Sequence, residues 1–216
     1  MPKNSKTDNR TDSTTKQQLR SRIAVAAARL IAEDGALDYS LAKRKAARQL
    51  GMDNLRALPD NDEIEEALRV HQSLYQGDEQ PERLRCLREE ALKVMRLLAG
   101  FRPYLRGSVL KGTAGRYSSI ELQLFIDDSK ELEVYLLNRD IPYEVTQERG
   151  VPIFNLNWED TPLNLAVHPF NAERIATTAS GRPVERASIT GLQKLLEAED
   201  VEQQASGGQS SAYGVD

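Results

Sequence analysis

Residues 106–127, RGSVLKGTAGRYSSIELQLFID, change period halfway along, and that change decides the fold. From Ser119 onward the residues alternate. Ile120, Leu122, Leu124 and Ile126 fall on one side of an extended chain, and Ser119, Glu121, Gln123 and Phe125 on the other. The spacing predicts a strand whose core side carries the isoleucines and leucines. A glycine-serine pair, Gly107-Ser108, stands upstream with ten residues between it and Ser119; Lys111, Gly112, Gly115 and Arg116 lie in that interval, read as a loop. Glycines interleaved with cations are ordinary turn chemistry and are also what an anion site uses.

Helical periodicity precedes this stretch. QLRSRIAVAAARLIAEDG puts Ile23, Ala27, Leu30 and Ile31 on one face and stops at Gly35. SLAKRKAARQLG opens at Ser40, aligns Ala42, Ala46 and Leu50, and stops at Gly51. A third helix follows Pro59-Asp60-Asn61, with Asp62, Glu63, Glu65 and Glu66 where acids complement the helix dipole, and with Ile64, Leu68, His71 and Leu74 as its inward stripe. Pro81 suits the first turn of a long helix through Leu84, Ala91, Met95 and Leu98 that closes near Gly100; the single cysteine, Cys86, is read as packing within it.

Downstream, SKELEVYLLNRD predicts a short helix, YEVTQ and VPIFNLNW two strands joined through Arg149-Gly150, and TPLNLAVHP a strand stopped by Pro169. RASITGLQKLLEAED predicts a last helix with Leu192, Leu195 and Leu196 inward. The expected organisation is a disordered tail over 1–18, a helical region over 19–79, a domain of mixed sheet and flanking helices over 80–200, and a polar tail over 201–216. The fold class is α+β.

Composition narrows the function classes. With 39% hydrophobic residues the chain builds an ordinary core, and no apolar run approaches the ~18 residues of a membrane span. The amino terminus is polar and lacks the apolar centre of a signal peptide, so a cytoplasmic protein is expected. One cysteine excludes an internal disulfide. The net charge of −4 hides a gradient: residues 1–50 carry 11 basic against 5 acidic side chains, and residues 151–216 carry 4 against 9. A basic front with no basic field over the whole chain makes DNA a local expectation at most.

Gly107-Ser108, ten intervening residues and Ser119-Ile120-Glu121, set between a helix and a strand, resemble the G-S-x10-D-x-D pattern of the nucleotidyltransferase superfamily over roughly residues 84–170. The resemblance implies a nucleoside triphosphate as ligand and Mg²⁺ as cofactor. In that pattern glycine lets the backbone approach a phosphate and serine donates to it. Two acids two residues apart share a strand face and reach the cations that bridge the triphosphate, and a third comes from a neighbouring strand. Aligned on it, this chain has Ser119 first, Glu121 second and Asn164, in TPLNLAVHP, third. One carboxylate in place of three cannot offset the mutual repulsion and desolvation of two Mg²⁺ ions, so two-metal catalysis is not expected. A single Mg²⁺ carried in by the nucleotide and held by Glu121 remains chemically sound. Asp127 cannot stand in, because six strand residues separate it from Glu121 by about 20 Å. His168 shares a face with Asn164 but sits about 13 Å along the strand, and it is read as a strand-end histidine.

Two other patterns compete. GTAGRYS, residues 112–118, resembles the phosphate loop of the muramate–amino acid ligases, but Arg116 stands where the loop needs lysine and Tyr117 where it needs serine or threonine. A UDP-N-acetylmuramate alanine ligase also needs three domains, so that activity is not expected at this length. Lys43, Arg44, Lys45 and Arg48 open the second helix, weakly resembling the helix-turn-helix of small bacterial repressors, with Arg44 and Arg48 one turn apart.

The expected function is therefore nucleotide binding in a pocket formed by Gly107, Ser108, Lys111 and Glu121, with Arg116 and Ser119 as further contacts and transfer activity lost or weak. In an active form Glu121 would hold the metal, with Asn164 beside it. The alternatives are a DNA-binding regulator and a module that binds a protein partner.

Overall fold

A computed structural model describes residues 8–34, 39–51, 58–75, 79–115, 118–177, 181 and 183–207. It confirms the α+β class: seven α-helices and one five-stranded mixed sheet among the described residues. The chain forms two compact units, Met1–Pro81 with Gly115–Tyr117, and Glu82–Ala114 with Ser118–Asp216.

The first unit is helical: α1 (Asp8–Asp34), α2 (Tyr39–Gln49) and α3 (Asn61–Tyr75). Helix α1 begins within the stretch expected to be a tail. Alanines dominate the contact surface, with Ala24, Ala27 and Ala28 of α1 and Ala42, Ala46 and Ala47 of α2 packed around Ile23, Ile64 and Leu68. Asp60 caps α3: its Oδ1 accepts from Glu63 N at 2.9 Å while Glu63 Oε2 accepts from Asp60 N at 2.7 Å, a reciprocal capping box. The same Glu63 carboxylate takes Arg20 of α1 at 2.6 Å. The inward stripe of α3 differs from the expected one. Leu74 is 70% exposed and Gln72 is buried, because the buried positions step by four from Ile64 to Leu68 to Gln72 and leave Leu74 on the far side.

The second unit holds the sheet. Helix α4 (Glu79–Leu97) leads through a single 3-10 turn, Ala99–Phe101, to β1 (Tyr104–Arg106) and the short α5 (Gly107–Lys111). Then come β2 (Ile120–Phe125), α6 (Ser129–Leu137), β3 (Tyr143–Glu148), β4 (Val151–Trp158), β5 (Thr161–His168), a 3-10 turn at Phe170–Arg174, and α7 (Ile189–Gly207). The strand order is β1-β2-β5-β4-β3, with β2 and β5 parallel and every other pair antiparallel. Both hairpins turn on two residues of positive φ, Arg149-Gly150 (52° and 83°) and Glu159-Asp160 (45° and 71°), the handedness that suits twisted strands.

Alternation places the core as expected. Ile120, Leu122, Leu124, Leu163, Leu165 and Val167 are buried in one cluster with Leu87, Ala91 and Met95 of α4, Leu132 and Leu136 of α6, and Leu192 of α7. Cys86 departs from its reading as packing: it is exposed, since the buried face of α4 runs through Leu84, Leu87, Arg88 and Ala91. No helix among the described residues is long and apolar enough to cross a membrane.

Candidate functional site

The polar side of the sheet is organised by one register. Arg106 of β1 stands opposite Glu121 of β2, and Glu121 stands opposite Asn164 of β5, so three side chains from three strands share a level on one face. Asn164 thus lies next to Glu121 on the neighbouring strand. Its Nδ2 donates to Ser119 Oγ at 3.1 Å, which ties the first and third aligned positions to each other.

Gly107 turns the chain from β1 into α5 with φ of 72°, a conformation that glycine adopts without strain. The space above it is filled from within the protein. A Cβ at Gly107 would lie 2.5 Å from Glu121 Oε1 and 2.7 Å from Glu121 Cδ, so the glycine seats a carboxylate. Arg106 Nε meets Glu121 Oε2 at 3.3 Å. Glu121 thus lies over the glycine-serine turn with a guanidinium beside it.

Lys111 is the last residue of α5, where the sequence suggested a loop. Gly112, at φ 81°, caps the helix with its N–H on Ser108 O, and Thr113 N donates to the same carbonyl at 2.9 Å. Lys111 Nζ pairs with Glu185 at 3.1 Å. Arg88 of α4 fixes α5 from below: its Nε donates to Val109 O and its Nη2 to Leu110 O, each at 3.0 Å, while Nη1 meets Glu199 of α7. Arg116 lies outside the described residues.

Further along the same face the sheet carries an aromatic and cationic cluster. Phe125 stacks on His168 at 5.7 Å and meets Tyr104 edge-on at 5.5 Å, and the Arg186 guanidinium lies 4.8 Å from the Tyr104 ring centre and 5.0 Å from that of Phe125. Tyr104 donates its hydroxyl to Glu173 at 2.9 Å, and Arg102 meets the same carboxylate at 2.8 Å. Burial, and then the charges of Arg106 and Arg186, hold the His168 imidazole below its ordinary pKa, favouring the neutral ring. His168 Nε2 and Gln123 Oε1 are buried with no hydrogen-bond partner among the described residues. Asp127 accepts from Phe170 N at 3.0 Å and Asp128 caps α6 through Lys130 N, so both acids serve the backbone.

This donor set does not fit a pair of Mg²⁺ ions. Glu121 is the single carboxylate at the aligned positions, a guanidinium adjoins it, and Asn164 turns a donor toward Ser119. Among the described residues no three His, Cys, Asp or Glu side chains gather as a metal site. Two Mg²⁺ ions beside a triphosphate need several anionic protein oxygens, and these positions offer one carboxylate with a guanidinium next to it.

Sequence reading missed Arg106, whose role depends on facing Glu121 across a strand pair. Lys43, Arg44, Lys45 and Arg48 lie on α2, with Arg44, Lys45 and Arg48 exposed together and Arg44 Nε donating to Ser40 O at 3.3 Å.

No family model matches this chain, and no curated protein matches it. Among solved structures, one described as the Cid1 poly(U) polymerase with MgGTP bound is similar over 40% of this chain and 32% of its own, at 16% identity and a TM-score of 0.33. A cytoplasmic RNA terminal U-transferase is similar over 37% and 29%, at 19% identity and a TM-score of 0.28. The chain spans about a third of the length of these structures. At such scores the likeness carries no weight for the site, which stands on its own residues.

Proposed function

We propose that the chain is a nucleotidyltransferase-like protein that holds a nucleotide by its phosphates and does not carry out metal-dependent transfer. One observation carries this reading: the two cations that bracket α5 are each paired with an acid near the surface, Arg106 with Glu121 and Lys111 with Glu185. Pairs as open as these contribute only about 0–1 kcal/mol, so a triphosphate offering several charge-assisted contacts displaces the carboxylates at little cost. Ser108, in the first turn of α5, adds a hydroxyl donor to such a phosphate. Glu121 then acts as an internal occupant of the phosphate seat. Attack on the α-phosphorus has no support here, because phosphoryl and nucleotidyl transfer depend on metal ions to neutralise charge developing on the phosphates.

Thermal-shift measurements with each of the four ribonucleoside triphosphates, in EDTA and in Mg²⁺, test this directly. The expected result is stabilisation in EDTA that is abolished by Arg106→Ala with Lys111→Ala, weakened by Ser108→Ala, and strengthened several-fold in affinity by Glu121→Gln, which removes the competing anion. Stabilisation that requires Mg²⁺ and disappears in Glu121→Gln would restore Glu121 as a metal ligand. Absence of any shift at millimolar nucleotide would end the binding reading.

A further inference from the structure

The helical unit carries an open furrow between α1 and α3 that the candidate site does not use. Its floor is made by the small side chains of Ala24 and Ala67, whose methyl groups leave a hollow between the two helices. Larger apolar side chains stand along it in contact with solvent. Val25 of α1 is 57% exposed, and Val70, Leu74 and Tyr75 of α3 are 51%, 70% and 75% exposed. A single exposed apolar side chain is ordinary, but four along one hollow mark a surface that a partner covers. On α3 they follow from its repeat: Ala67, Val70 and Leu74 are three and four residues apart and share a face different from that of the buried Ile64 and Leu68.

The rim sets the chemistry of what fits. Glu33, Asp60, Asp62, Glu63 and Glu66 line the furrow against one base, Arg29. Arg29 pairs with Glu33, Arg20 with Glu63 and Arg69 with Glu66, which still leaves an excess of acid. Such a rim repels the phosphates of nucleic acid and of anionic lipid. The volume, about 1180 Å³, exceeds the roughly 300–1,000 Å³ of small-molecule sites, so a chain segment fits it better. Two helices offer no strand edge, and an extended segment laid between them leaves its backbone groups unmatched, whereas a helix satisfies its own.

We propose that this furrow docks an amphipathic helix of a partner protein, with an apolar stripe that packs on Val25, Val70, Leu74 and Tyr75 and with lysines and arginines on its flanks that face the acidic rim. The 15 residues of α3 span about 22 Å at ~1.5 Å per residue, so the docked helix has about four turns. The furrow residues all belong to the first unit and the nucleotide-site residues Arg106, Ser108, Lys111 and Glu121 to the second, so this inference does not rest on the nucleotide reading.

The probe is a labelled peptide of about 16 residues with leucine at every third or fourth position and lysine or arginine elsewhere, titrated with the full chain and followed by fluorescence anisotropy. A second peptide keeps the leucines and carries glutamate at the basic positions. The expected result is saturable binding of the basic peptide, about tenfold tighter than that of the acidic one. Asp62→Lys with Glu66→Lys keeps the apolar walls and should reverse that preference. Val70→Asp with Leu74→Asp changes two exposed positions that the fold does not need, and it should abolish binding of the basic peptide although it adds negative charge. Binding that survives or strengthens in this variant is charge attraction alone and overturns the proposal, as does no binding of the basic peptide to the unaltered chain. Sedimentation of the chain without peptide supplies a further check: a dimer that Val70→Asp with Leu74→Asp dissociates would show a second copy covering the furrow and would equally overturn it.

Discussion

Gly107 answers two demands at once, a left-handed backbone and the carboxylate of Glu121 directly above it. The sequence signals the first, since glycine before a short helix is a recognised turn choice, but not the second, which depends on β1 and β2 pairing in one register. Gly107→Ala should therefore lose about 2 kcal/mol of unfolding free energy, from strained φ and from displaced Glu121. Glu121→Ala in the same chain should recover part of that loss, leaving about 1 kcal/mol for the backbone alone. A double-mutant cycle by urea denaturation checks the coupling, and strictly additive losses would show that the close approach costs nothing. Arg106 makes the same point from the other side. Nothing in the sequence distinguishes it from any arginine beside a turn until the strand pair brings it to Glu121.

At the scale of elements, period and punctuation carry most of the reading. The four alternating isoleucine and leucine positions beginning at Ile120, the Arg149-Gly150 turn and the leucine stripe of α7 all follow from local pattern. Strand β1 and helix α5 do not, because elements of three and five residues are too short to show a period. Strand β1 is held by its pairing with β2, and α5 by Arg88, whose buried guanidinium joins α4 to the backbone of α5 and to Glu199 of α7. Burial depresses the pKa of that guanidinium, because lost hydration disfavours its charged form. Arg88→Met should destabilise the protein by about 3 kcal/mol, since it strands the partly buried Glu199 carboxylate and two carbonyls. Adding Glu199→Leu should return much of that loss. If Arg88→Met alone costs less than about 1 kcal/mol in a denaturant titration, α5 is held by its own caps.

Over the whole molecule, stability should fall in two steps on acidification. His168 has a folded pKa below its unfolded value near ~6.5, so the unfolded chain binds the proton more readily. Its contribution is complete above ~6.5 and is lost as pH falls through the folded value. Glu63, held down by Arg20, and Glu173, held down by Arg102, contribute fully above the unfolded carboxylate range near ~4.3 and lose that contribution as pH drops below it. Melting temperature measured from pH 8 to pH 3 should show a shallow limb near neutrality and a steeper one in acid. His168→Phe should remove the shallow limb alone; its survival in that variant would assign the neutral step to another group.

The sequence by itself determined the α+β class, the six longer helices, the four strands after the glycine-serine pair and the positions aligned with a nucleotidyl-transfer motif, because each rests on spacing between neighbours in the chain. Only the tertiary structure decided what those aligned positions stand beside. The parallel pairing of β2 with β5 sets Asn164 beside Glu121 and Ser119, and the antiparallel pairing of β1 with β2 sets Arg106 against the same carboxylate. Whether an acid is a ligand or a partner depends on which charge stands within a few ångströms of it, and that distance is set by strand register.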